Sequence, residues 1–140
     1  MGVNWGFTLY GQPPSWDDSY KIVRKWRHGP NGKIPYHGLA KKEKTVAYQS
    51  EARLIIGAAK PSKWKPTGFV RVWLTFYLVN DMDCDNAMKA IHDVIEDATG
   101  VDDIKYLPVA VWKEIGCTTR DARVEVVIEH PASPLQVPPI

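Results

Sequence analysis

Residues 69–80, FVRVWLTFYLVN, are apolar or aromatic at nearly every position. A strand with one wet face alternates apolar and polar residues, whereas a strand enclosed by its sheet need not. The segment therefore predicts a central strand, built from the β-branched and aromatic side chains that suit a pleated surface. Flanking strands are available. NWGFTLYG places Trp5, Phe7 and Leu9 on one side at strand spacing, and IKYLPVAVWKEIG and RVEVVIEH predict two more strands joined by CTTRDA.

Two segments carry helical periodicity instead. Between Glu43 and Ala59, Tyr48, Ala52, Ile55, Ile56 and Ala59 share one side, and Pro61 stops the helix. From Asn86 to Thr99, Ala87, Met88, Ala90, Ile91, Val94, Ile95 and Ala98 fill one arc. Asn86, Lys89, His92, Asp93, Glu96 and Asp97 fill the other. Asp85 or Asn86 can cap its start, and Gly100 sits where a left-handed C-terminal residue belongs. Residues 21–43 predict an extended basic loop with a short strand, and KPSKWKPTG a basic turn segment. The order β, loop, α, β, α, β, β predicts an α+β domain, a mixed β-sheet with two main helices. At 140 residues and 44% hydrophobic, one domain over residues 1–130 is expected, with the Pro-rich residues 131–140 as a loose tail. No run approaches a membrane span, the first residues do not read as a secretory signal, and Cys84 and Cys117 form no CxxC pair. These features predict a cytoplasmic protein with reduced thiols.

The near-neutral total charge conceals an asymmetry. Residues 1–65 carry 12 Lys/Arg against 4 Asp/Glu, and residues 66–140 carry 6 against 12. Much of the acid lies in one run, NDMDCDNAMKAIHDVIEDATGVDD. Like charges at about 5 Å repel by roughly 3 kcal/mol at an effective dielectric near 20, so a packed cluster calls for a cation. If extended backbone persists past the central strand, Asp83 and Asp85 point to the same side and Cys84 points into the core. Lys89 and Asp93 continue one stripe of the helix, and Asp102 and Asp103 follow the Gly100 turn. Oxygen ligands so grouped suit a hard ion such as Mg²⁺, with Mn²⁺ as a substitute. Plainer readings exist: Glu96 and Asp97 as a solvated face, and Asp85 as a helix cap. A calcium loop fits poorly, because Asn86 stands at its glycine position and His92 at its glutamate position. His28, His37, His92 and His130 show no metal-ligand spacing.

DCDNAMKAIHD followed by GVDD resembles the RusA family of Holliday-junction resolvases, which carries D-x-D-N-x-x-K-x-x-x-D and then a D-D pair. TLYGQPPS resembles that family's first strand and turn, and AYQSEARLIIGAA its first helix, so the likeness covers roughly residues 5–129. Asp17 and Asp18 depart from it, standing where many members carry Asn. The resemblance implies a RusA-like homodimer that cuts four-way DNA junctions by paired symmetric nicks. It implies Asp83, Asp85 and Asp103 as ligands of catalytic Mg²⁺ and Lys89 as a catalytic lysine. Asp93, Asp102 and Asn86 would be supporting neighbours, with Asp93 orienting Lys89 and Asp102 capping the next turn. A chromosomal and a phage origin are equally compatible with it.

Hydrolysis of a DNA phosphodiester builds charge on phosphoryl and leaving oxygens, which a metal-bound water, a cation and the Lys89 ammonium can serve. The basic half supplies phosphate contacts: Lys21, Arg24, Lys25, Arg27, Lys33, Lys41, Lys42 and Lys44 around the first loop, then Lys63 and Lys65. Trp26 and Trp64 lie among these cations as candidates for stacking on bases at a branch point. Two other functions fit the same residues, a less selective branched or flap DNA nuclease and a non-catalytic junction-binding protein with a structural metal.

Overall fold

The computed structural model describes residues 3–15 and 20–130. Asp17, Asp18 and the tail at 131–140 lie outside them, as do the side chains of Lys21 and Lys41. The fold is α+β, with a mixed sheet and two helices. In chain order come β1 (Val3–Tyr10), β2 (Tyr20–Gly29), β3 (Gly32–Lys41), α1 (Glu43–Ala59), β4 (Val70–Leu78), α2 (Cys84–Thr99), a 3₁₀ turn (Asp103–Lys105), β5 (Tyr106–Ile115) and β6 (Arg123–His130). The main sheet runs β1-β6-β4-β5. β4 is interior, as its continuous apolar pattern predicts. It is parallel to β5 and antiparallel to β6, which in turn is antiparallel to β1. The β4–α2–β5 crossover is what a parallel pair requires, since no tight turn can join parallel strands.

One face of the sheet makes the core. Val70, Val72, Leu74, Phe76 and Leu78 of β4, Val124, Val126 and Ile128 of β6, and Trp5, Phe7 and Leu9 of β1 pack against Ala52 and Ile56 of α1 and Ala87, Ile91, Val94 and Ile95 of α2. Burying a side chain such as Phe76 or Ile91 contributes about 1.5–3 kcal/mol each. α1 and α2 are also joined at their surface, where Nη2 of Arg53 donates to Oδ1 of Asp97 at 3.0 Å. Asp97 is therefore an interhelical partner and not merely solvated. No helix among the described residues is long and apolar enough to cross a membrane.

Three local expectations are corrected. Residues 20–41 form a hairpin of two ten-residue strands and not a loop with a short strand. Gly32, at φ +116°, makes its Gly29–Gly32 turn in a conformation that L side chains avoid. Second, α2 begins at Cys84, and its cap is Asp83, whose Oδ1 accepts from the Asp85 N–H at 2.8 Å. The strand ends at Leu78, so the alternation argument for Asp83 and Asp85 does not apply. Third, Cys84 is consequently a half-buried first helical residue and not a core side chain. The other end of α2 is as expected: Gly100 has φ +74° and its N–H reaches the Glu96 carbonyl at 2.8 Å.

Candidate metal and nucleic-acid site

α2 and the turn that follows it bring the acidic residues together. After Gly100, the Asp102 carboxylate accepts from the Ile104 N–H at 3.0 Å and starts the 3₁₀ turn. The Tyr106 hydroxyl donates to the Val101 carbonyl at 2.7 Å, and the Lys105 ammonium to the Pro66 carbonyl at 3.1 Å. These three bonds shape the turn, and the Asp103 N–H bonded to the Glu96 carboxylate sets Asp103 against α2. Asp85, Met88, Lys89, His92, Asp103, Tyr106 and Pro108 line one open cleft of about 340 Å³ there. The cleft thus unites Asp85, Lys89 and Asp103. Asp83 is not among the residues lining it. It is exposed at the head of the helix, with one carboxylate oxygen engaged by the Asp85 N–H.

The tightest acidic group differs from the expected triad of Asp83, Asp85 and Asp103, which does not draw together. Asp93, Glu96 and Asp103 each present an oxygen within 4.8 Å of the others, and all three are half-buried. Glu96 and Asp93 are three apart on the same helix face, the spacing that makes helical neighbours. That spacing was the available signal for Glu96. The group is electrostatically tense. Burial, then the charges of Asp103, Asp102 and Asp93, hold the Glu96 carboxyl above its ordinary range, although the Asp103 backbone N–H partly offsets them. This fits the residues to a hard divalent cation, whose charge would relieve that repulsion. Asn86 and Asp93 each have a partner in the fold.

His92 had no motif to announce it. Its ring packs edge-on against Tyr106 at 5.4 Å, and its Nε2 is buried without a hydrogen-bond partner among the described residues. Burial lowers its pKa and the nearby Asp103 charge partly restores it, which favours the neutral imidazole in the cleft. Burial likewise pushes the Tyr106 phenol up to about 12.

A second groove, of about 370 Å³, lies beside this region between Gln12, Pro13, Pro14, Ser15, Lys44, Tyr48, Asp81 and Met82. Gln12 explains how the P-P-S turn comes to meet the acidic loop. Its Oε1 accepts from the Val79 and Asn80 N–H groups at 2.8 and 3.2 Å, and its Nε2 donates to the Asn80 carbonyl at 3.0 Å. Asp81 is tied to the Lys113 ammonium at 2.8 Å, which holds its carboxyl below the usual range. The groove therefore lies between the acidic loop, the P-P-S turn and the first turns of α1. On the β2–β3 hairpin Arg24, Arg27 and Lys33 are exposed and Lys25 is half-buried. Lys42 and Lys44 begin α1, while Lys63 and Lys65 are exposed in the turn before β4. Of the two stacking candidates, Trp64 is corrected. It is 6% exposed and packs edge-on against Trp5 at 5.2 Å, so it anchors its turn to the core. No protein-family model matches this chain, and a search of curated proteins finds no match.

Proposed function

We propose that this protein is a divalent-cation-dependent endonuclease of branched DNA, cutting four-way junctions as the RusA-family resemblance implies. The observation that carries the reading is that Asp103, from the turn beyond α2, lines one cleft with Asp85 and Lys89 of the first turns of that helix. Asp85 and Asp103, both lining the cleft, would hold the cation there, with Asp93 and Glu96 as carboxylate neighbours of Asp103. When bound, such an ion supplies charge neutralisation at a phosphoryl oxygen and acidifies water. The protein's own groups do the rest. The Lys89 ammonium opposes charge developing on the phosphate. Arg24, Arg27, Lys33, Lys44, Lys63 and Lys65 attract and orient the DNA backbone without reading sequence.

Paired nicks need two sites, hence a second copy of the chain. The helix-free face of the main sheet, where Trp73, Trp112 and Val127 are exposed, is the surface we assign to that pairing. The test is cleavage of a synthetic four-way junction, a fork and a plain duplex, with Mg²⁺ and with chelator. Symmetric nicks in the junction alone, dependent on Mg²⁺, support the reading. Equal cutting of forks favours a flap nuclease, and tight junction binding without any cut product favours a non-catalytic binder.

A further inference from the structure

The β2–β3 hairpin is built in a way the cleavage site does not require. It is a two-stranded sheet separate from the main one. Arg24, Trp26, Arg27, His28 and all of residues 30–37 are exposed. A lone hairpin in water is marginally stable, so a bare one invites a partner along its faces. The register sorts its side chains. Arg24 and Trp26 share a face with their cross-strand neighbours His37 and Pro35, and Lys25 and Arg27 share the other with Tyr36 and Ile34. Each face thus presents an aromatic ring among cations: Trp26 is 55% exposed and Tyr36 41%. The Arg24 guanidinium lies 5.1 Å from the Trp26 ring centre, a cation–π contact that steadies the indole. Residues 20–41 contain no Asp or Glu.

We infer that the hairpin is a binding site for unpaired DNA bases, which stack on Trp26 and Tyr36 while Arg24, Arg27 and Lys33 hold the flanking phosphates. The charge selects a polyanion. The exposed rings select one whose base faces are open, because a closed duplex keeps its bases stacked inside. This rests on the reading of the chain as a DNA-acting protein and names what would make it prefer a branch point over plain duplex.

The test is fluorescence anisotropy with the full chain in EDTA, so that binding is read without cleavage. The probes are a 12-nucleotide oligo(dT) and a blunt 24-base-pair duplex. Wild type is expected to prefer oligo(dT). Trp26→Ala should weaken oligo(dT) binding by about 5- to 150-fold, the range of one base–aromatic stack. It should leave the duplex within about twofold and the salt slope unchanged, and Trp26→Phe should recover much of the loss. Arg27→Ala should instead weaken both probes and flatten the salt dependence. Circular-dichroism melting checks that the variants fold. An unchanged oligo(dT) affinity in Trp26→Ala, or an equal loss for both probes, overturns the inference. So does sedimentation showing that Trp26→Ala only breaks a dimer. Failure of junction cleavage with this stacking pattern intact would sink the nuclease reading alone.

Discussion

Replacing Glu96 by Gln should stabilise the cation-free protein, which reverses the usual direction for a half-buried side chain. Asp93, Glu96 and Asp103 have oxygens within 4.8 Å of one another. At that separation one like-charge pair costs about 0.9 kcal/mol in water and about 3.5 kcal/mol at an effective dielectric near 20. The carboxylates are half-buried and so partly screened, which argues for the lower end of that range. Gln keeps an oxygen for the Asp103 N–H while removing the repulsions of Asp103, Asp102 and Asp93 on Glu96. A net gain of about 1 kcal/mol follows, or about 3–5 °C in Tm for a chain of this size. The sign with pH is fixed by the raised Glu96 carboxyl. Its penalty is present above the folded-state pKa, shrinks as pH falls through it, and vanishes below the unfolded value. The advantage of Glu96→Gln should therefore narrow on acidification from pH 7. Adding Mg²⁺ should reverse the ranking, since a ligand at 100 times its Kd stabilises wild type by about 2.7 kcal/mol and the variant by less. Differential scanning calorimetry in EDTA and in Mg²⁺ reads all of this. A variant that melts below wild type in EDTA, or that gains equally from Mg²⁺, would refute the reasoning.

Other residues give independent checks. Gln12→Ala strips the partner from the half-buried Val79 N–H and should cost about 1–3 kcal/mol in urea unfolding. Gly100→Ala, at φ +74°, should cost about 1 kcal/mol by the same measurement, because only glycine adopts the left-handed region without strain. Lys113→Met should free Asp81 and speed hydrogen exchange at Met82, whose carbonyl and N–H both lie in that small network.

Most of the fold was legible because its elements carry pure patterns. β4 is apolar at nearly every position and lies inside the sheet, and α1 spans Glu43–Ala59 as its periodicity and Pro61 dictate. The hairpin was less visible. Its strands mix cations with Val23, Trp26, Ile34 and Tyr36, and among the residues whose side chains are described no buried face enforces a clean alternation. At the site, Lys89 and Asp103 meet Asp85 in one cleft through ordinary helix geometry and a tight turn. Asp83 departs from the expected side because its cap bond to the Asp85 N–H turns the chain into a helix where extended backbone would have aligned the two carboxylates. His92 escaped because its place depends on where the 3₁₀ turn folds back, which no local pattern encodes, whereas Glu96 carried a local signal in its spacing from Asp93 that only Asp103 beside it makes telling.

The central claim is that Asp103 works with Asp85 and Lys89 although it lies beyond the far end of α2 from them. Single-turnover cleavage of a four-way junction by wild type beside Asp103→Asn, both in saturating Mg²⁺, tests it most directly. Loss of about 100-fold or more in rate, with junction affinity in EDTA within about threefold, is the predicted result, since an interaction acting on the chemistry lowers rate without loosening binding. Equal rates for the two proteins would contradict it.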